Sequence, residues 1–413
     1  MMKIGQISDL HYSPDHLDEV DRCVKFAIDR MVEDGCECAV ISGDLFDHRV
    51  DLHDPCVYQL MKRVLFLARN MPVLILQGTF SHDTPGSLNI FKAMNGAHPI
   101  YVADHIGQVA LINNGDFYRW EPCTDSYSFS DIPDYTVALF SCLPPINKGH
   151  LAALNDSDDI ASAAGEYVYD LMRGWSVING QALAAGIPTV VVSHGTVNNC
   201  MTEQGVPMHG NDHEFTTGSL FASNARAIML GHIHQFQYWS SDDGYQMIAY
   251  PGSPGRLHFG ELTDKCFLIW DVESTHSSFK IHQTPAKRLI QIEFDGTPDL
   301  EKLKAIAEGA EDAYVRIRYS VDEEHKDSID KNALHELFAD AGLVKIEGRI
   351  KPITRIRAEG ITRSHSLEEK LATWCTVTDS DFERIQPCLA EIQSTDPEHI
   401  VAEIINNIED AVS

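Results

Sequence analysis

"VLILQGTFSHDTPG", residues 73–86, reads as a buried apolar strand running into a polar loop that carries an adjacent His82 and Asp83. The same pattern recurs through the first two-thirds of the chain. "KIGQIS" is followed by Asp9 and His11, "CAVISG" by Asp44 and Asp47, "PTVVVS" by His194, and "RAIMLG" by His232 and His234. Between these stretches the apolar spacing predicts helices over 17–34 and 55–69, and the alternation describes a layered α/β domain. The second helix has more than one possible cap, since Asp51, Asp54 and Pro55 all precede it. Further strands are expected at "QVALIN" (108–113), "TVALFS" (136–141) and "YQMIAYPGS" (245–253), whereas 113–134, rich in Asp, Ser, Pro and aromatics, reads as a long insertion or loop. In an α/β sheet the strand ends open on one crevice, so the loops carrying Asp and His are expected to converge.

A single Asp-x-His, or a lone strand-end His194, would carry little weight, because such residues more often serve loops and cores. Five strand ends in a row bearing them are hard to explain by capping or solubility. Mixed imidazole and carboxylate donors suit manganese, iron or zinc better than magnesium or calcium.

The 413 residues suffice for two or three domains, and a hydrophobic fraction of 44% is ordinary for chains with buried cores. No apolar run approaches the roughly 18 residues of a membrane helix, and "MMKIGQISDLHY" lacks a secretory pattern, so a cytoplasmic address is expected. The 10 cysteines are scattered, and Cys36 and Cys38 have no second pair to complete a zinc site; they read as reduced, mostly buried thiols. A net charge of −29 is unlike a protein that grips phosphate backbones alone, and reads as a solvated, self-repelling surface.

Past residue 280 the pattern changes. "RLIQIEFDG" alternates Ile290, Ile292 and Phe294, "PDLEKLKAIAEG" is an amphipathic helix, "YVRIRYSV" alternates again, and "KNALHELFADAG" and "KIEGRIKPI" complete a small α/β module. Ser366 and Glu369 fit a capping box, followed by helical text to the end. The expected division is 1–280, 281–358 and 359–413.

"SDLHY" (8–12), "SGDLFDH" (42–48), "SHD" (81–83), "SHG" (193–195) and "GHIH" (231–234), in this order, resemble the signature motifs of the calcineurin-like metallophosphoesterases. "YPGSPGRLHFGE" (250–261) and the module beginning near 287 are similar to the corresponding parts of the SbcD-like nucleases, the nuclease subunits of the bacterial SbcC/SbcD DNA-repair complex. The resemblance implies an α/β fold, a four-layer β-sandwich flanked by helices, with a small α/β capping domain and C-terminal helices. It implies two divalent ions per chain, with Mn2+ expected. Asp9, His11 and His234 would hold one, and Asp44 would bridge to a second held also by His194 and His232. His82 would be the catalytic histidine outside the direct ligands, and Asp47 or Asp83 would orient a neighbouring group.

In these enzymes the third motif is usually Gly-Asn-His-Asp, with the asparagine on the second metal. Aligning on His82-Asp83 puts Ser81 at that place in a loop two residues longer; with six candidate ligands intact, a working site with an altered second position is expected. The implied activity is metal-dependent exonuclease and endonuclease hydrolysis of DNA during double-strand break repair and end processing, by a homodimer with an SbcC-like ATPase. Two alternatives stay open: a small-molecule phosphodiesterase or phosphatase of the same fold, and a catalytically weak DNA-end-binding assembly subunit. Lys345, Arg349, Lys351, Arg355, Arg357 and Arg363, against Glu347 and Glu359, form a cluster that could track DNA or be a solvated surface. Leu367, Leu371 and Trp374 share a helical face suited to the ATPase or to this chain's own domains.

Overall fold

The computed structural model describes residues 1–51, 53–123, 131–146, 160–202, 205–207, 214–351, 366–394 and 396. In chain order the strands are β1 (Met2–Ile7), β2 (Cys38–Ile41), β3 (Val73–Leu76), β4 (Ile100–Ala103), β5 (Gly107–Asn113), β6 (Tyr118–Pro122), β7 (Thr136–Leu143), β8 (Thr189–His194), β9 (Thr196–Val197), β10 (Glu214–Phe215), β11 (Ala227–Gly231), β12 (Gln237–Ser240), β13 (Met247–Tyr250), β14 (Cys266–Val272), β15 (Ser277–Gln283), β16 (Leu289–Asp295), β17 (Tyr314–Asp322) and β18 (Leu343–Lys351). The helices are α1 (Leu17–Glu33), α2 (Pro55–Asn70), α3 (Asn89–Lys92), α4 (Ile160–Ala184), α5 (Thr217–Phe221), α6 (Leu300–Ala307), α7 (Lys331–Leu337), α8 (Leu367–Thr378) and α9 (Phe382–Ser394).

β2 and β3 are buried at every position, as parallel strands covered on both faces must be, and this is why they read as unbroken apolar runs. They lie in a sheet ordered β15-β14-β1-β2-β3-β4, parallel from β1 to β4 and antiparallel at β14 and β15. A second sheet, β12-β13-β11-β8-β7-β5-β6, is parallel from β13 to β7 and antiparallel at both margins. Between them Ile4, Val40, Leu74 and Trp270 of the first sheet pack on Leu111, Phe140, Val190 and Met229 of the second. On the outer face of the first sheet, Val20, Val24 and Ile28 of α1 and Leu60, Val64 and Leu67 of α2 meet Ile7, Ile41 and Ile75. On the outer face of the second, Val168, Met172 and Trp175 of α4 meet Val191, Ile228 and Ile248. The result is the expected four-layer helix, sheet, sheet, helix sandwich, in which each fully buried side chain of this size contributes about 1.5–3 kcal/mol.

The segment expected to be a loop at 113–134 contains β6, paired antiparallel with β5. Tyr118 and Trp120 alternate inward against the core while Arg119 and Glu121 pair on the outside at 2.9 Å, a strand pattern hidden by its Asp and Pro neighbours. Asp54 is the N-cap of α2, with Pro55 in the first turn; its Oδ2 accepts from the Asp51 N–H at 2.8 Å. Among the described residues no helix is long and apolar enough to cross a membrane.

The chain divides into two compact units, Met1–Ile292 with Glu301–Ile317 and Leu334–Ile346, and Glu293–Leu300 with Arg318–Ala333 and Glu347–Ser413. The first contains the sandwich. A third sheet, ordered β16-β17-β18, contributes residues to both. In the second unit, the Ser366 hydroxyl accepts from the Glu369 N–H at 3.1 Å and the Glu369 carboxylate from the Ser366 N–H at 3.4 Å, the expected capping box of α8.

Candidate metal centre

The loops after β1, β2 and β3 from one sheet meet those after β8 and β11 from the other. The Asp9 N–H donates to the Gly43 carbonyl (3.0 Å), His11 N–H to Asp44 (3.1 Å), Tyr12 N–H to Leu45 (2.9 Å) and Gly195 N–H to Gly231 (3.1 Å), so the loops are zipped together by their backbones. Beneath them the Gln6 amide donates to Ser42 Oγ (3.2 Å) and, across the sandwich, to the Leu230 carbonyl (3.0 Å), while Trp270 Nε1 donates to Gln6 Oε1 at 2.8 Å. Asp9, His11, Asp44 and His232 adopt φ of 52°, 49°, 51° and 103°. Non-glycine residues rarely adopt such backbone; gathering it here is the mark of a site over-determined by its surroundings. Gly43, at φ 101°, has no room for a side chain, because a Cβ would stand 2.3 Å from His194 Nδ1 and 2.9 Å from Gly78 Cα.

Two triads result. Donor atoms of Asp9, His11 and His234 lie within 4.8 Å of one another, as do those of Asp44, His194 and His232. His11 Nε2 and His234 Nε2 face each other at 3.0 Å, and His234 Nδ1 is bonded to Glu261 Oε1 at 3.1 Å. A carboxylate can only accept, so Nδ1 carries the proton and Nε2 turns a lone pair inward. His194 repeats the arrangement: Nδ1 donates to the Ser42 carbonyl at 2.7 Å, and Nε2 lies 3.2 Å from Asp44 Oδ2 without a hydrogen-bond partner. Two acceptors facing each other in a buried site require a positive charge between them, either a proton or a cation. The residues of both triads therefore fit a bound metal ion.

The electrostatics agree. Burial pushes the Asp44 carboxyl up, but His194 and His11 hold it well below the usual range; conversely burial lowers His194 while Asp44 raises it to about 9. Burial, with the charge of His194, takes His232 down to about 4. His11 is likewise lowered by burial, against the pull of Asp47, whose Oδ1 stands 3.4 Å from its Nδ1.

His82 lies beside the first triad, its ring edge-on to that of His11 with centroids 4.7 Å apart. Its Nδ1 is bonded to the Asp47 carbonyl oxygen, which fixes the Nδ1–H tautomer and leaves Nε2 as the nitrogen that can exchange a proton. Asp83 is fully buried and points away from the cleft's chemistry: it accepts from the Leu45 N–H (3.1 Å) and the Gly78 N–H (2.9 Å), tying the second loop to the third. Burial and the Asp44 charge push its carboxyl up to about 7. A cleft of ≈ 690 Å³ lies over these residues, with His16, Phe80, Ser81 and His258 also on its walls.

Sequence reading missed two groups. Thr79 donates both its N–H (2.7 Å) and its hydroxyl (2.8 Å) to Asp44 Oδ1. Glu261 is fully buried, holds His234, and pairs with buried Lys265 at 3.2 Å. The carboxylate three residues after His258 was visible only as the last letter of "YPGSPGRLHFGE".

A family model described as calcineurin-like phosphoesterase matches residues 2–236, more than half of the chain and every member of both triads. The chain belongs to the calcineurin-like phosphoesterase family. As a metallophosphoesterase it is a metal-dependent phosphoester hydrolase. Solved structures similar to it include a dimetal phosphatase from Danio rerio, 11% identical with a TM-score of 0.40 over 67% of this chain and 98% of that one. They also include a putative 5′-nucleotidase from Staphylococcus aureus in complex with alpha-ketoglutarate, 12% identical with a TM-score of 0.36 over 68% of this chain and 53% of that one, so the chain spans about half its length. No curated protein matches the chain.

Three residues of the expected DNA-binding cluster, Lys345, Arg349 and Lys351, are among the described residues. Lys345 lies over the Phe259 ring at 5.9 Å, and Lys351 is bonded to Asp295 at 2.6 Å. Arg349 lines a hollow with Arg318, which is itself held by Glu293 (3.2 Å) and Glu347 (3.1 Å). Arg355, Arg357 and Arg363 lie outside the described residues.

Proposed function

We propose that this chain is a two-metal-dependent DNA nuclease, an exonuclease and endonuclease of the SbcD-like kind that processes DNA double-strand breaks. The observation that carries the hydrolytic part is the pair of triads, with inward-facing imidazole lone pairs and His82 beside them in one cleft. What supports DNA as substrate is the similarity of residues 250–261 and of the module after 287 to the SbcD-like nucleases. Glu261, at the end of that stretch, belongs to the centre through His234.

Asp9, His11 and His234 would hold one ion and Asp44, His194 and His232 the other, with Asp44 shared. Two bound divalent ions, Mn2+ in this reading, supply Lewis acidity that neutralises the phosphodiester oxygens and makes a water acidic enough to attack. The chain's own groups do the rest. Glu261 keeps the His234 ring turned inward, and the Asp47 carboxylate stands 3.4 Å from His11 Nδ1 on the other side of the first site. The water would give up one proton to solvent as its oxygen bonds to phosphorus, the bond to the leaving oxygen would break, and a proton on His82 Nε2 would pass to that oxygen.

A protein with net charge −29 and paired module cations would borrow its grip on DNA. The proposal therefore includes a homodimer with an SbcC-like ATPase that supplies much of the contact, residues 281–358 as capping domain and 359–413 as the ATPase-binding segment, in the cytoplasm. The acidity favours the second reading, a small phosphodiester as substrate.

The test is cleavage of a labelled hairpin-ended duplex with Mn2+, alone and with the ATPase partner. The unaltered chain should cut, and His82→Ala should lose about 10²–10⁴-fold in rate while keeping its metal. Cleavage of bis-p-nitrophenyl phosphate but of no DNA under any condition would move the assignment to small phosphodiesters.

A further inference from the structure

Asp44 is the shared carboxylate, and its terminal torsion is of the broad, weakly restricted kind, so something must decide where its two oxygens point. Oδ1 takes two hydrogen bonds from one residue, the Thr79 N–H at 2.7 Å and hydroxyl at 2.8 Å, and Oδ2 is left 3.2 Å from His194 Nε2. A carboxylate oxygen held at two points by one residue cannot swing without breaking both bonds.

The loop that carries Thr79 is built for this contact. A Cβ on Gly78 would stand 2.1 Å from the Asp44 nitrogen and 2.2 Å from Oδ1, so only glycine lets the chain press against Asp44 here. The loop then closes on itself: the His82 N–H and Asp83 N–H both donate to the Thr79 carbonyl, at 3.0 and 2.8 Å, and Asp83 Oδ2 accepts from the Gly78 N–H at 2.9 Å. Thr79 thus sits at the base, and Phe80 and Ser81 form the exposed tip. The two extra residues of the motif lie between Thr79 and His82, and the residue directly after Gly78, where the shorter motif has its asparagine, is Thr79. Aligning backwards from His82 placed Ser81 there instead.

We propose that Thr79 is the positioning residue of the second cation site, fixing Asp44 so that Oδ2 faces His194, and that Ser81 holds no cation. With its hydroxyl committed to Asp44, Thr79 adds no ligand, so the second ion rests on Asp44, His194 and His232 and is the weaker and more exchangeable of the two. The inference rests on the two-cation reading above but not on DNA as substrate.

The experiment is calorimetric titration of Mn2+ into the full chain stripped with chelator. The unaltered chain should take up two ions in a tighter and a weaker step. Thr79→Val, which keeps the shape and the N–H but loses the hydroxyl, should weaken the second step by about 10–100-fold with the first unchanged. Thr79→Ser should restore it, and Ser81→Ala should titrate like the unaltered chain. The intact first step and the circular dichroism report that the fold survives; if Thr79→Val does not fold, Thr79→Ala takes its place. An unchanged second step in the hydroxyl-less variant, loss of that step in Ser81→Ala, no rescue by serine, or a single ion in the unaltered chain would each overturn the proposal. A chain that takes up both ions as described yet cuts no DNA would overturn the nuclease reading alone.

Discussion

The His234 Nδ1 proton goes to Glu261, 3.1 Å away, and the same buried carboxylate takes the Lys265 ammonium at 3.2 Å. Glu261→Gln keeps the size but gives His234 a weaker acceptor; Mn2+ affinity at the first site should fall by about 10–100-fold, read by titration. Removing the carboxyl entirely takes away the carboxylate that buried Lys265 faces at 3.2 Å, and Glu261→Ala should cost about 3–5 kcal/mol in chemical denaturation. The sign with pH follows. Burial alone would raise the Glu261 pKa, but Lys265 and His234 hold it well below its ordinary 4.5. A depressed carboxyl stabilises the fold above its unfolded value and loses that contribution as pH falls below it, so acid unfolding should be less steep in Glu261→Gln than in the unaltered chain. At this scale the sequence exposed Asp9, His11, Asp44, His194, His232 and His234, because each ends an apolar strand or lies in the short loop just after one. Glu261 and Thr79 were illegible because what they do depends on partners 27 and 35 residues away.

The loops between strand and site are as constrained as the ligands they carry. Gly43→Ala forces a side chain into left-handed backbone and against His194 Nδ1 at 2.3 Å, where the neighbouring Gly78 backbone cannot yield. It should cost on the order of 1–3 kcal/mol in thermal or chemical melts and displace His194 from its bond to Ser42, so hydrolysis should fall further than stability does. A melt unchanged within error and full activity would mean the loop is more pliant than its contacts imply. Strands such as β2 and β3 were legible because burial on both faces writes a continuous apolar run. β6 was not, since only alternate residues of Tyr118–Pro122 reach the core. α4 left no clear mark either: its 25 residues carry little charge contrast between faces, and its inward stripe of Val168, Met172 and Trp175 is evident only once the second sheet is there to receive it.

For the whole molecule the sandwich brings loops from two sheets to one place, where Asp9, His11, Asp44 and His232 of the two triads adopt left-handed backbone. A cation bound to the folded centre and not to the unfolded chain stabilises by mass action, about 2.7 kcal/mol per site at a free concentration 100 times the dissociation constant. Removing metal with chelator should therefore lower the melting temperature reversibly, and readdition of Mn2+ should restore it. The α/β class and the order of the site motifs were readable from the chain because a parallel sheet fixes which strand ends share a crevice. The substrate was not, because neither the motifs nor the chain's acidity says which phosphoester the cleft receives. The central claim, two cation sites built from six named residues, is tested most directly by diffraction from crystals soaked in Mn2+ with data collected at the manganese absorption edge. Two anomalous peaks should appear, one among Asp9, His11 and His234 and the other among Asp44, His194 and His232. A single peak, or peaks away from these side chains at saturating Mn2+, would contradict it.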